Sequence, residues 1–217
     1  MWSPPSDEII FLSDRKPSGL YRKKANGVGE EKLIPGTDKL SMSAYQWHRD
    51  GYVLSYGGSP NTAILKLSIA DSVLTPLVAS PSVTYRRGAV SPDGRWLAYD
   101  ARETARFEVH LTTNPPSAGT RWMVTTEGGA EPKWSKDGKQ LFYVSSATGA
   151  LMVVTVTPGD PPRFSAPRQL HPGPIDWGWS SSHSFDVDPR SGRLLIEIVE
   201  GTFDLTVLTN WHGLLGK

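Results

Sequence analysis

Cysteine is absent from this 217-residue chain. A disulfide framework, a thiolate zinc site and a cysteine nucleophile are therefore excluded. No charge of one sign dominates: 23 Lys and Arg stand against 22 Asp and Glu, for a formal net charge of +1. A nucleic-acid-binding surface or a polybasic membrane patch needs a basic excess that this balance does not supply. Long hydrophobic runs are missing too. Nothing approaches the ~18 apolar residues of a membrane-spanning helix. The first stretch holds Pro4, Pro5, Asp7 and Glu8, without a basic start followed by an apolar core. No signal peptide is read there, and the chain as given is expected to stay in the cytoplasm. Catalytic signatures are equally scarce: there is no Gly-x-Ser-x-Gly elbow, no phosphate-binding Gly-rich loop and no His-x-x-x-His pair.

Glycine and proline are plentiful, at 21 and 18 residues, and they punctuate a repeat. Three segments align: Tyr45-Gln46-Trp47-His48-Arg49-Asp50-Gly51-Tyr52, Gly88-Ala89-Val90-Ser91-Pro92-Asp93-Gly94-Arg95-Trp96 and Pro132-Lys133-Trp134-Ser135-Lys136-Asp137-Gly138-Lys139-Gln140. Each reads as a strand, a turn closed by Asp-Gly and a second strand. Asp-Gly supplies the positive φ of a tight turn. Two degenerate copies flank them, around Trp2 to Leu12 and Val187 to Ile196. Third strands follow at Leu20-Tyr21-Arg22, Ala63 to Leu67, Phe107 to Leu111, Leu151 to Val156 and Leu205 to Leu208. Fourth strands follow in the first four copies, at Glu31 to Ile34, Leu74 to Val78, Arg121 to Thr125 and Pro167 to Leu170. Leu141-Phe142-Tyr143-Val144 is a continuous apolar run, the pattern of a strand buried on both faces. A blade sandwiched between two neighbours is buried in that way. The reading is an all-β protein, a β-propeller with about five blades of four antiparallel strands, the first and last incomplete. It forms one domain over residues 1–217, with repeats at about 1–42, 43–83, 84–128, 129–172 and 173–217. Trp2, Trp47 and Trp134 recur at the end of the first strand and are read as wedges between blades.

Ser91-Pro92-Asp93-Gly94-Arg95-Trp96-Leu97-Ala98-Tyr99 resembles the repeat of TolB-like, WD-repeat-like propellers. Arg106 to Leu111, Arg121 to Gly129, Glu131 to Ser135, Phe164 to Leu170 and the closing Thr206-Val207-Leu208-Thr209-Asn210-Trp211 resemble, in order, the C-terminal propeller region of bacterial serine/threonine protein kinases. The likeness covers nearly the whole chain and implies a sensor role. It also implies an extracytoplasmic place if this is the sensor region of a membrane-bound kinase. No kinase motif is present. That family is typically six-bladed, whereas five copies are visible here, which leads to the expectation of imperfect ring closure and self-association.

First strands line the central channel of a propeller, so the candidate binding residues are Arg86, Arg87, Glu131, Lys133, His183 and Asp186. A second candidate is the irregular loop around Trp177 and Trp179. The leading functional reading is a non-catalytic binding or sensor module for a protein, peptide or small ligand, with no cofactor and no nucleic acid. Two readings compete with it. One is a metal-dependent hydrolase of lactonase or phosphotriesterase type, with Glu131, His183 and Asp186 as metal ligands. The other is an inert fragment whose open edges drive association.

Overall fold

Each sequence copy folds as its own antiparallel sheet. The computed structural model describes residues 1–39, 42–58, 62–175, 184–188 and 191–197. Blade one holds β1 (Glu8–Ser13), β2 (Gly19–Lys24) and β3 (Lys32–Leu33). Blade two holds β4 (Met42–His48), β5 (Tyr52–Gly57), β6 (Ala63–Ser68) and β7 (Leu74–Val78). Blade three holds β8 (Thr84–Val90), β9 (Trp96–Arg102), β10 (Glu108–Thr113) and β11 (Arg121–Met123). Blade four holds β12 (Ala130–Trp134), β13 (Gln140–Val144) and β14 (Leu151–Thr157), with β15 (Arg163–Phe164) and β16 (Arg168–His171) both paired to β14. Blade five shows β17 (Phe185–Val187) and β18 (Leu194–Ile196). Strands pair in chain order within each sheet, the meander of a propeller blade. The protein is an all-β propeller. Among the described residues no α-helix occurs, and no helix is long and apolar enough to cross a membrane.

Blade one replaces its inner strand with a stub. The Met1 ammonium donates to the Ile10 carbonyl at 2.7 Å, the Ile10 N–H donates back to Met1 at 2.9 Å, and Trp2 bridges Ile9.

The turns follow from a side-chain template. Ser91 Oγ donates to Asp93 Oδ1 at 2.5 Å and accepts from the Trp96 N–H at 3.0 Å, while Asp93 accepts from the Arg95 N–H at 3.1 Å. Ser135, Asp137, Lys139 and Gln140 repeat that set at 2.6, 2.9 and 3.1 Å. The Ser135 hydroxyl and the Lys139 amide hold the Asp137 carboxyl below its usual range. Asp50, Asp93 and Asp137 are thus turn residues. Ser3 plays the Ser91 part in blade one, accepting from the Glu8 N–H at 2.9 Å. There Ser6 stands where Gly94 and Gly138 stand, and it adopts the same left-handed φ of 62°.

Packing explains the apolar runs. Along β5, Val53 joins a cluster with Ile10 and Leu20 of blade one, while Leu54 joins Val90 and Tyr99 of blade three. Along β13, Leu141 and Tyr143 pack on Ala98 and Leu111 of blade three, while Phe142 and Val144 pack on Phe185 of blade five. Adjacent residues of a strand point to opposite faces, and both faces are covered, so the run is mostly apolar. Trp134 is 8% exposed, and its Nε1–H donates to the Ala89 carbonyl of blade three at 3.0 Å. Trp47 packs in the cluster between blades one and two. The expected third wedge differs: Trp2 is 57% exposed.

Candidate functional site

The stub of blade one and the inner strands of blades two to five surround a cavity of about 720 Å³. Its rim comes from the turns: Ser3 and Ser6, His48 and Arg49, Ser91 and Pro92, Ser135 and Lys136. Its walls include Trp47, Gly88, Ala89, Trp134, Lys133 and Asp186. Tyr45, Arg87 and Glu131 line it toward the other end of the strands.

A recurring irregularity places those three. The ladder shifts register between Ala44 and Gln46, between Tyr85 and Gly88, and between Ala130 and Lys133. A bulge inserts an extra residue and re-aims its side chain. Tyr45 thereby turns inward and donates to the Ser55 carbonyl at 3.1 Å. Arg87 reaches across to Glu131 at 2.8 Å, with both side chains buried. Glu131 itself sits at φ 56°, a left-handed conformation that costs a non-glycine residue about 1–3 kcal/mol.

Glu131 is consequently a joint between three blades. Oε1 accepts from Arg87 of blade three and from the Ser184 hydroxyl at 3.0 Å, and Oε2 accepts from the Ser184 N–H at 3.0 Å. Ser184 leads into β17 of blade five. The Glu131 N–H donates to Asp100 Oδ2 at 3.3 Å. Asp100, on β9, is fully buried, and its Oδ1 has no hydrogen-bond partner among the described residues. Burial pushes its carboxyl up to about 6 against the pull of Arg87 and Arg86. Burial, then the Asp100 charge, likewise pushes the Tyr45 phenol well above its ordinary value. Blades two and three are tied by Gln46, which donates to the Val90 carbonyl at 3.3 Å and accepts from the Val90 N–H at 2.8 Å.

Of the channel residues expected from sequence, Arg87, Glu131, Lys133 and Asp186 line this cavity. Arg86 does not: its guanidinium lies over the Phe107 ring at 5.1 Å, because the bulge turns neighbouring side chains to different sides. Lys133 Nζ donates to Asp186 Oδ1 at 2.9 Å. His183, Trp177 and Trp179 lie outside the described residues. Of the expected metal set, Glu131 and Asp186 are among the described residues, and both are engaged. Both Glu131 oxygens are taken by donors, Asp186 accepts from Lys133 and from the Val187 N–H at 2.9 Å, and no described group of three His, Asp or Glu is placed to hold an ion. Asp100, Gln46 and Ser184 escaped sequence reasoning. Only the odd carboxylate inside the apolar run Trp96 to Ala101 signals Asp100.

No family model matches the chain, and no curated protein does. Solved structures do match. A TolB-type protein from Agrobacterium tumefaciens superposes with a TM-score of 0.59 at 20% identity, over 75% of this chain and 62% of that one. TolB from Acinetobacter baumannii gives 0.58 at 16%, over 76% of this chain and 42% of that one. A puromycin-hydrolyzing peptidase from Mycobacterium tuberculosis gives 0.60 at 19%, over 87% of this chain and 33% of that one. The chain is similar to TolB-like propellers in fold, and it spans less than two thirds of the length of each of these proteins.

Proposed function

We propose that this chain is a non-catalytic binding or sensor module that meets a peptide, protein or small ligand at the rim of its central cavity. The observation that carries the reading is the commitment of the deep polar groups. Arg87, Glu131 and Ser184 bond to one another across blades, and Lys133 bonds Asp186. Groups spent on joining blades hold a scaffold, and the rim of the cavity, which includes Arg49 and Lys136, is the surface that meets a partner. Long-range likeness in fold does not choose a ligand. The resemblance of Arg121 to Gly129 and Thr206 to Trp211 to kinase-linked propellers supports a sensor role.

The test is a thermal-shift screen of the whole chain against pooled short peptides and small metabolites, with lactone and phosphotriester hydrolysis assayed alongside. A melting shift that Arg49→Ala removes is expected, with no turnover. Hydrolysis that a chelator abolishes and Glu131→Gln destroys would overturn the reading in favour of a channel metal.

A further inference from the structure

Two carboxyl groups meet where blades three, four and five join, and they are served unequally. Glu131 accepts from Arg87 at 2.8 Å and from the hydroxyl and the N–H of Ser184, both at 3.0 Å. Asp100 is 0% exposed. Its Oδ2 accepts from the Glu131 N–H at 3.3 Å, and its Oδ1 has no hydrogen-bond partner among the described residues. An unpaired neutral carboxyl in such a place costs far less than an unpaired carboxylate. The arrangement is therefore that of a protonated Asp100, in line with a carboxyl that burial pushes up to about 6.

The strand register supplies a second partner for Arg87. The ladder pairs Tyr85 with Ala101 and Gly88 with Tyr99, so the bulge in β8 sets Arg86 and Arg87 together opposite Asp100. Arg86 lies over the Phe107 ring at 5.1 Å. Arg87 stands between two carboxyls, Asp100 on the adjacent strand and Glu131 on the adjacent blade. The other described groups around Asp100 are engaged or uncharged. On β10, Val109 lies opposite it, and Glu108 accepts from the Thr125 hydroxyl and the Gly128 N–H. On β4, the Tyr45 phenol donates to the Ser55 carbonyl. On β12, Lys133 bonds Asp186.

We propose that Asp100 and Glu131 compete for Arg87, and that loss of the Asp100 proton frees Ser184 from blade four. An ionised Asp100 draws the guanidinium across the bulge. Glu131 is then a buried charge without its counter-ion, which is strongly unfavourable. It lines the cavity and relieves that cost by turning into it. The left-handed backbone at Glu131, φ 56°, then loses the bonds that sustain it, and Ser184 loses both of its bonds to the carboxylate. Phe185 stays in its apolar cluster and Lys133 keeps Asp186, so the change is confined to the start of β17 and the deep end of the cavity. It holds whatever the cavity binds.

The Ser184 N–H is the reporter, because its bond is the one released. The experiment is an NMR titration of the whole chain that follows this amide and the Asp100 carboxyl carbon together. As pH rises, the Ser184 amide resonance should move upfield with the same midpoint as the Asp100 carboxyl. In Asp100→Asn it should stay at its acid-side position at every pH. In Glu131→Gln, which removes the competing charge, it should stand near the released position throughout, a result that does not require Asp100→Asn to fold. The Val90 N–H, held by the uncharged Gln46 side chain, should not follow that midpoint in any of the three proteins. A Ser184 resonance that stays still while Asp100 titrates would overturn the proposal. So would a wild-type titration of Ser184 that persists in Asp100→Asn or in Glu131→Gln.

Discussion

A carboxylate buried beside a second carboxylate binds its proton more tightly than in water. Asp100 meets this condition. Arg87 and Arg86 face it from β8, Glu131 from β12 and Tyr45 from β4, while β10 presents uncharged Val109 opposite it. Its folded-state pKa of about 6 lies above the ordinary carboxylate value. The folded protein therefore holds a proton that the unfolded chain has already released. Stability from this group is fully present below the ordinary carboxylate value and falls as pH rises from about 4 through 6. Asp100→Asn mimics the protonated form. It should raise the melting temperature at pH 7.5 by about 4–8 °C, for an effect on the order of 2 kcal/mol, and should flatten the pH dependence over that window. Calorimetry at several pH values checks this; equal slopes in wild type and variant would mean that Asp100 is not the group that titrates.

Elements hold together through the wedge and the bulge. Trp134→Ala should destabilise by about 3–5 kcal/mol, the usual cost of removing a large buried aromatic. Trp134→Phe keeps most of the volume but leaves the Ala89 carbonyl unpaired, at about 1–2 kcal/mol. Urea melts of the two variants check this, and equal losses would show that packing and the hydrogen bond are not separable there. These elements divide by how local their causes are. The turn template was legible because Ser91, Asp93 and Gly94 act on their own neighbours, and the same spacing recurs at Ser135, Asp137 and Gly138. The doubly buried strands were legible because a face-to-face neighbour leaves an unbroken apolar run. The bulges were not. Nothing in Ala130-Glu131-Pro132-Lys133 announces a left-handed Glu131, since the strain is sustained by Arg87 and Ser184, 44 and 53 positions away in sequence. The candidate site was half legible for the same reason: the first strands could be aligned on the channel, but which side chain turns inward depends on the bulge. Arg86 turned to Phe107 and Arg87 to Glu131.

The whole molecule behaves as a row of blades before it behaves as a ring. Stability in a repeat row is a sum of each unit's own stability and its interfaces with neighbours. Blade three is packed on both faces, by the clusters it shares with blades two and four. Blade four is packed on both faces as well. Among the described residues, blade one shares one cluster, with blade two, and blade five shares one, with blade four. Among the described residues no hydrophobic cluster joins blades one and five, and Trp2 and Leu195 are exposed. Local opening should then start at the two ends of the row and spread inward. Hydrogen exchange followed by mass spectrometry checks this. Amides of β9 and β13 should exchange slowest, near the rate of global unfolding. Amides of β1 and β17 should exchange faster, with Ser184 released together with β17 because its hold on blade four is the Glu131 carboxylate. Glu131→Ala should speed exchange in β17 and leave β1 unchanged, since blade one has no bond to that joint among the described residues. Uniform protection across all five blades would mean that the seam is closed within one chain and that the molecule unfolds as a ring.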